Sequence, residues 1–134
     1  MCGIAGFSGG FPHAARSLSD FTVALDHRGP DDHGIFLGHH GRIGLAHTRL
    51  AIQDLSPLGH QPMHSDDCTV SIVFNGEIYN FRELRADLEA AGHDFTGHSD
   101  TEVLLQLYLA DRDRPALAPL CLLYTSDAAD DTPC

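Results

Sequence analysis

Cys2 stands directly behind the initiator methionine in the run MCGIAGF. Excision of Met1, which a small second residue favours, would leave one residue carrying both a thiol and a free α-amine. Ordinary pKa values are about 8.5 for the thiol and about 7.7–8.0 for the amine. The amine can therefore take the thiol proton near neutrality, supplying nucleophile and base from one residue. The competing reading of Cys2 is a small buried cysteine that only packs.

Three further stretches carry groups with matching chemistry. In LAHTRLAIQD, Arg49 lies in or beside a strand, where its guanidinium can hold a carboxylate through two parallel hydrogen bonds; the plain alternative is a surface arginine on a strand edge. In VFNGEIYN, Asn75 and Gly76 end an alternating strand just ahead of a helix. The Asn75 amide and the Gly76 N–H can aim two donors at one oxygen, an oxyanion-hole arrangement, although Asn-Gly also serves in ordinary turns. Glu77 and Asp100 are carboxylates available to an ammonium group, or else a solvated charge and a helix cap. Together, a thiol, a base, oxyanion donors and clamps for carboxylate and ammonium describe hydrolysis of the amide of a free amino acid.

The elements that must position these groups can be read from pattern. Ile4 to Phe7 reads as a short buried strand interrupted by glycine. Ser17 is placed to cap a helix with Leu18, Phe21 and Leu25 on one face, ended by Gly29-Pro30, which makes HRGPDDHG a turn or loop. Ile43 to Ile52 reads as strand, DLSPLGHQPM as an extended connection, and TVSIVFN, by its alternation, as the clearest strand of the chain. Asn80 with Glu83 and Ser99 with Glu102 have capping-box spacing. They predict one helix with Phe81, Leu84 and Leu88 on a face and Gly92 at its stop, and a second running to about Asp111. Strands and helices segregate without a βαβ repeat, so the fold class is α+β with mainly antiparallel pairing.

Composition bounds the partners. The 134 residues suffice for one domain or part of one, with 43% apolar and 20% charged residues, the balance of a soluble globular chain. A net charge of −11 with only eight Lys and Arg argues against nucleic acid. There is no signal-like start and no run near the roughly 18 apolar residues that span a bilayer, so no membrane is expected and the location is read as cytoplasmic. Cys2, Cys68, Cys121 and Cys134 form no CxxC pair, and the ten histidines, His39, His40, His60 and His64 among them, show no spacing that completes a metal site. No metal is expected.

CGIAGF, HRGPDDHG, LAHTRLAIQDLSPLGHQPM, FNGEIYNFRELR and GHSDTEVLL resemble, in order and spacing, the N-terminal glutaminase domain of glutamine-hydrolysing asparagine synthetases. The resemblance runs over roughly residues 1–114. It implies an N-terminal-nucleophile hydrolase fold, a four-layer αββα sandwich of antiparallel sheets, incomplete here at its C-terminal side. It also implies class II amidotransferase activity on L-glutamine. Cys2 would attack the side-chain amide, and Asn75 and Gly76 would form the oxyanion hole. Arg49 would hold the α-carboxylate, Leu50, Ala51, Ile52 and Gln53 would line the site partly through backbone, and Glu77 and Asp100 would bind the α-amine. Arg28 to Asp31 resemble the loop that closes over glutamine. No cofactor is implied for this segment; ATP and Mg2+ belong to a C-terminal synthetase domain outside the chain that would use the ammonia to convert aspartate to asparagine. The resemblance leaves a homodimer of the full-length protein open. Other readings are another class II amidotransferase with an aminosugar or other acceptor, from whose sugar-phosphate branch Leu50 and Glu77 depart, and a non-catalytic binding module. Residues 1–120 are read as a partial amidotransferase domain. Residues 121–134 lack amphipathic period, resemble a translated sequencing adapter, and are expected to add neither a cap nor a return strand.

Overall fold

The computed structural model describes residues 1–52 and 55–110, together with the backbone of 122–124. Its elements are β1 (Gly3–Ser8), α1 (Ala14–Leu25), β2 (Asp32–Gly38), β3 (Ile43–Arg49), β4 (Met63–His64), β5 (Ser71–Ile72), β6 (Gly76–Ile78), α2 (Phe81–Ala90), α3 (Asp100–Ala110) and β7 (Leu122–Tyr124). Short 3-10 turns occupy Asp26–Arg28 and Pro57–Gly59. The described strands form a three-stranded sheet in the order β1-β3-β2 and two ladders, β4-β5 and β6-β7, all antiparallel. The result is a mixed α/β chain with antiparallel sheets, in line with the α+β class.

The central strand is β3, because its side chains have something to bury on both faces. Ala46 and Thr48 turn toward α1, whose Leu18 is fully buried. The Thr48 hydroxyl donates to the Leu25 carbonyl at 3.1 Å and accepts from the Gly3 N–H at the same distance, tying the end of α1 to the start of β1. A side chain at position 3 would run into Thr48 and Leu25, so glycine after Cys2 is a demand of close packing. A second core collects Ile78, Leu84, Leu88 and Val103, from β6, α2 and α3, with Phe74, Phe81 and Phe95 packed around it.

Helix ends show where sequence and structure part. α2 closes as the spacing predicts: Gly92, at φ 92°, lets its N–H reach Glu89 O and the His93 N–H reach Leu88 O, a Schellman motif. At its start Asn80 makes no side-chain cap bond, so that capping box does not form. α3 uses half of its box. Ser99 Oγ accepts from the Glu102 N–H at 3.2 Å, but the Glu102 carboxylate turns to the Thr96 and Gly97 N–H groups at 2.7 and 2.9 Å and to the Thr96 hydroxyl. α1 starts at Ala14 after a left-handed His13, earlier than Ser17, whose hydroxyl donates to Pro12 O instead of capping.

The strands differ in extent as well. β2 begins at Asp32, inside the stretch read as loop, and β3 stops at Arg49 rather than Ile52. The alternating run 69–75 is ladder only at Ser71–Ile72, because beyond it the Phe74 N–H is taken by the Gln61 side chain. The tail, contrary to expectation, supplies a return strand: Leu122–Tyr124 pairs with Ile78–Gly76. Three consecutive apolar residues can satisfy an open strand edge without displaying any period. The rest of 111–134, including Cys121 and Cys134, lies outside the described residues.

Two stability predictions arise here. Glu102→Gln keeps the shape of a buried carboxylate that accepts three bonds but removes its charge, and is expected to cost about 1–3 kcal/mol in urea unfolding. Burial pushes the imidazole of His47, in β3, down from 6.5 to about 4, with Nε2 lacking a hydrogen-bond partner among the described residues. A base whose folded pKa is depressed stabilises the fold above its ordinary pKa and loses that contribution as pH falls. On the order of 3 kcal/mol should therefore disappear between pH 6.5 and 4, read as a falling urea midpoint that flattens in His47→Leu.

Candidate active site

Where β3 ends, three segments converge on Cys2. The Leu50 N–H donates to Cys2 Sγ at 3.4 Å and the thiol points back to the Leu50 carbonyl at 3.8 Å. Arg28 Nε donates to the Cys2 carbonyl at 3.2 Å. Asp31 grips the next stretch of backbone twice: its N–H donates to Arg49 O at 3.0 Å, and its carboxylate accepts the Ala51 N–H at 2.8 Å. Leu50 and Ala51 thus leave the ladder because their N–H groups serve the thiol and the 28–31 loop.

Arg49 is not on a strand edge. It ends the central strand, is 8% exposed, and donates through Nη1 to Ser56 O at 2.9 Å. Its guanidinium lies against Gly59, where any side chain would collide with it. That glycine gave no signal in the sequence beyond its place in a proline-containing turn.

Opposite Cys2, the Asn75–Glu77 span crosses in front of α3. The Asp100 carboxylate accepts the Ile78 N–H at 3.1 Å from a buried position. Burial raises its pKa above the ordinary carboxylate value, outweighing the backbone donors that favour the charged form, and the Glu77 charge adds to the rise. Two carboxylates that repel each other in this way would be relieved by a cation placed between them.

Cys2, Arg49, Leu50, Ile52, Asn75, Gly76, Glu77 and Asp100 all line one open cleft of about 100 Å³. Ala51 does not line it, since its N–H faces Asp31, and Gln53 lies outside the described residues. Met1 lines the cleft beside Cys2. Gln61 and Thr101 also line it, and neither was singled out by motif. Among the described residues, no three His, Cys, Asp or Glu side chains come together to hold a metal ion, and no helix is long and apolar enough to cross a membrane.

The cleft lining brings together the Arg49 guanidinium, the Glu77 and Asp100 carboxylates, the Cys2 thiol and the Asn75-Gly76 pair, charges of both signs that suit a zwitterionic amino acid.

The glutamine amidotransferase domain family matches residues 1–114. Asparagine synthetase [glutamine-hydrolyzing] 1 of Bacillus subtilis is 42% identical over 113 residues, 81% of this chain and 17% of its own length. The putative asparagine synthetase [glutamine-hydrolyzing] 2 of Methanocaldococcus jannaschii is 42% identical over 125 residues, 81% of this chain and 24% of its own length. Amidase chry2 of Gibberella zeae is 37% identical over 120 residues, 81% of this chain and 18% of its own length. The chain thus spans less than a quarter of the length of these curated relatives. With the family match covering most of the chain and every residue that lines the cleft, the chain belongs to the glutamine amidotransferase domain family.

Proposed function

We propose that this chain is the glutaminase part of a glutamine-hydrolysing asparagine synthetase. The observation that carries the reading is the meeting of Cys2, Arg49, Asn75, Gly76, Glu77 and Asp100 around one cleft, although they come from four separate stretches of sequence. Arg49 binds the α-carboxylate of glutamine, and Glu77 with Asp100 binds its α-ammonium. The three-stranded sheet with α1 on one face, together with the separate core of β6, α2 and α3, supports the N-terminal-nucleophile sandwich of that reading.

Once Met1 is gone, the freed amine of Cys2 takes the thiol proton. The thiolate attacks the side-chain amide carbon, and the carbonyl oxygen becomes an oxyanion held by the Asn75 amide and the Gly76 N–H. As the carbon–nitrogen bond breaks, the Cys2 ammonium returns its proton to the leaving nitrogen, releasing ammonia and a thioester. Water, deprotonated by the same amine, then hydrolyses the thioester to glutamate and restores the thiol. The Leu50 N–H is already aimed at Sγ and helps fix the position of the sulfur.

Conversion of aspartate to asparagine would use this ammonia in a synthetase domain with ATP and Mg2+. The described residues offer no cluster that fits Mg2+, so no step here runs through that group. That one relative of similar identity is named an amidase, not a synthetase, favours another class II amidotransferase as the second reading. The absence of paired cysteine spacing agrees with a cytoplasmic setting.

A diazo-ketone analogue of glutamine is expected to label Cys2 in protein whose intact mass shows loss of Met1. Cys2→Ala should abolish the label, and label on the exposed Cys68 instead would sink the assignment. A second expectation concerns pH. Ammonium binding needs Asp100 ionised, so KM for glutamine should rise on acidification at a pH above the ordinary carboxylate range, and Asp100→Asn should raise KM and remove that limb. In the free protein the sign is opposite. An acid with a raised folded pKa costs stability as pH climbs from 3.8 through that pKa, so Asp100→Asn should relieve the loss in urea unfolding.

A further inference from the structure

Gln61 sits in the connection between the 3-10 turn at Pro57–Gly59 and β4, a segment with no catalytic pattern in its sequence. It is 6% exposed, and both ends of its side-chain amide are committed. Oε1 accepts the Phe74 N–H at 2.6 Å, and Nε2 donates to Thr101 Oγ1 at 3.1 Å. Phe74 is the residue before Asn75, and Thr101 the residue after Asp100. The Phe74 N–H has no ladder neighbour to bind, since β5 ends at Ile72, so a side chain substitutes for the strand.

The far end of the same span is held in the same way: the Ile78 N–H is taken by the Asp100 carboxylate. Gly76 and Glu77 are paired with β7, but Asn75 stands outside that ladder, and the two side-chain tethers that flank the span both lead to the first turn of α3. Gln61 is itself seated firmly, because its carbonyl lies against Gly34 of β2, where a side chain would collide with it. Both polar atoms of its side-chain amide already hold a protein partner, which fits a role in positioning.

We propose that Gln61 is a positioning residue of the oxyanion hole, its side-chain amide fixing Asn75 and Gly76 at a set distance from the ammonium-binding carboxylates at the start of α3. The inference rests on the glutaminase reading above. Oxyanion donors act only when placed about 2.7–3.1 Å from the developing charge. Loss of the tether frees the span at its Phe74 end while Arg49, Asp100 and Cys2 keep their own supports.

The test is steady-state glutamine hydrolysis by the full chain carrying Gln61→Leu, beside the rate at which iodoacetamide alkylates Cys2, located by peptide mass spectrometry. Alkylation passes through no oxyanion. The expected result is a fall in kcat on the order of 100-fold, the size associated with a misplacement of about 1 Å, with KM and the alkylation rate little changed. Thr101→Val, which releases one end of the tether and leaves the Phe74 bond, should lower kcat by less and in the same pattern; it also serves if Gln61→Leu does not fold. Unchanged kcat in either folded variant overturns the proposal, as does a joint loss of kcat, binding and alkylation, the mark of a general loosening. Wild-type protein that alkylates at Cys2 yet hydrolyses no glutamine would instead bring down the glutaminase reading itself.

Discussion

The site depends on how β3 comes to an end. A central strand that simply stopped would leave its last carbonyl and the next N–H groups without partners in a half-buried place, at a cost of about 1–3 kcal/mol each. Here those groups are allotted singly: Arg49 O to the Asp31 N–H, Leu50 N–H to the Cys2 sulfur, Ala51 N–H to the Asp31 carboxylate. One backbone turn thereby fixes the nucleophile, the buried guanidinium and the 28–31 loop with respect to one another. The cleft inherits its geometry from peptide groups rather than from side chains free to change rotamer.

The opposite wall is built on another principle. At the two flanks of the Phe74–Ile78 span the backbone N–H groups go to buried polar side chains, Phe74 to Gln61 and Ile78 to Asp100. Such substitutions are costly unless complete, because an unpaired amide or carboxylate in a low-dielectric interior loses its hydration without return. Asp100 shows the tension directly: it is buried beside Glu77, and its pKa rises accordingly. His47 carries the same burden on the neighbouring strand, uncharged and with one ring nitrogen unpaired among the described residues.

Much of this was legible in the sequence. Cys2, Arg49, the Asn75-Gly76 pair and the two carboxylates could be picked out because each has a reactive group at a recognisable turn or strand end. The helices at 81–90 and 100–110 followed from apolar spacing and from Gly92. Gln61 was not legible, since its bonds reach 13 and 40 residues along the chain and neither leaves a local trace. Alternation over 69–75 was misleading for a related reason: it reports which side chains face inward, not whether a partner strand lies alongside. Capping signals erred where a second acceptor was closer, as when Glu102 turned to Thr96 and Gly97. The strand at 122–124 escaped notice because three residues are too few to show a period.

Met1 lines the same cleft as the thiol next to it. While it remains attached, the nitrogen of Cys2 belongs to a peptide bond and has no basicity to lend, and the thioether side chain stands at the door of the substrate site. Under the proposed chemistry the chain stays inactive until whatever precedes Cys2 is cleaved away, and any affinity tag fused ahead of Cys2 would act as a propeptide.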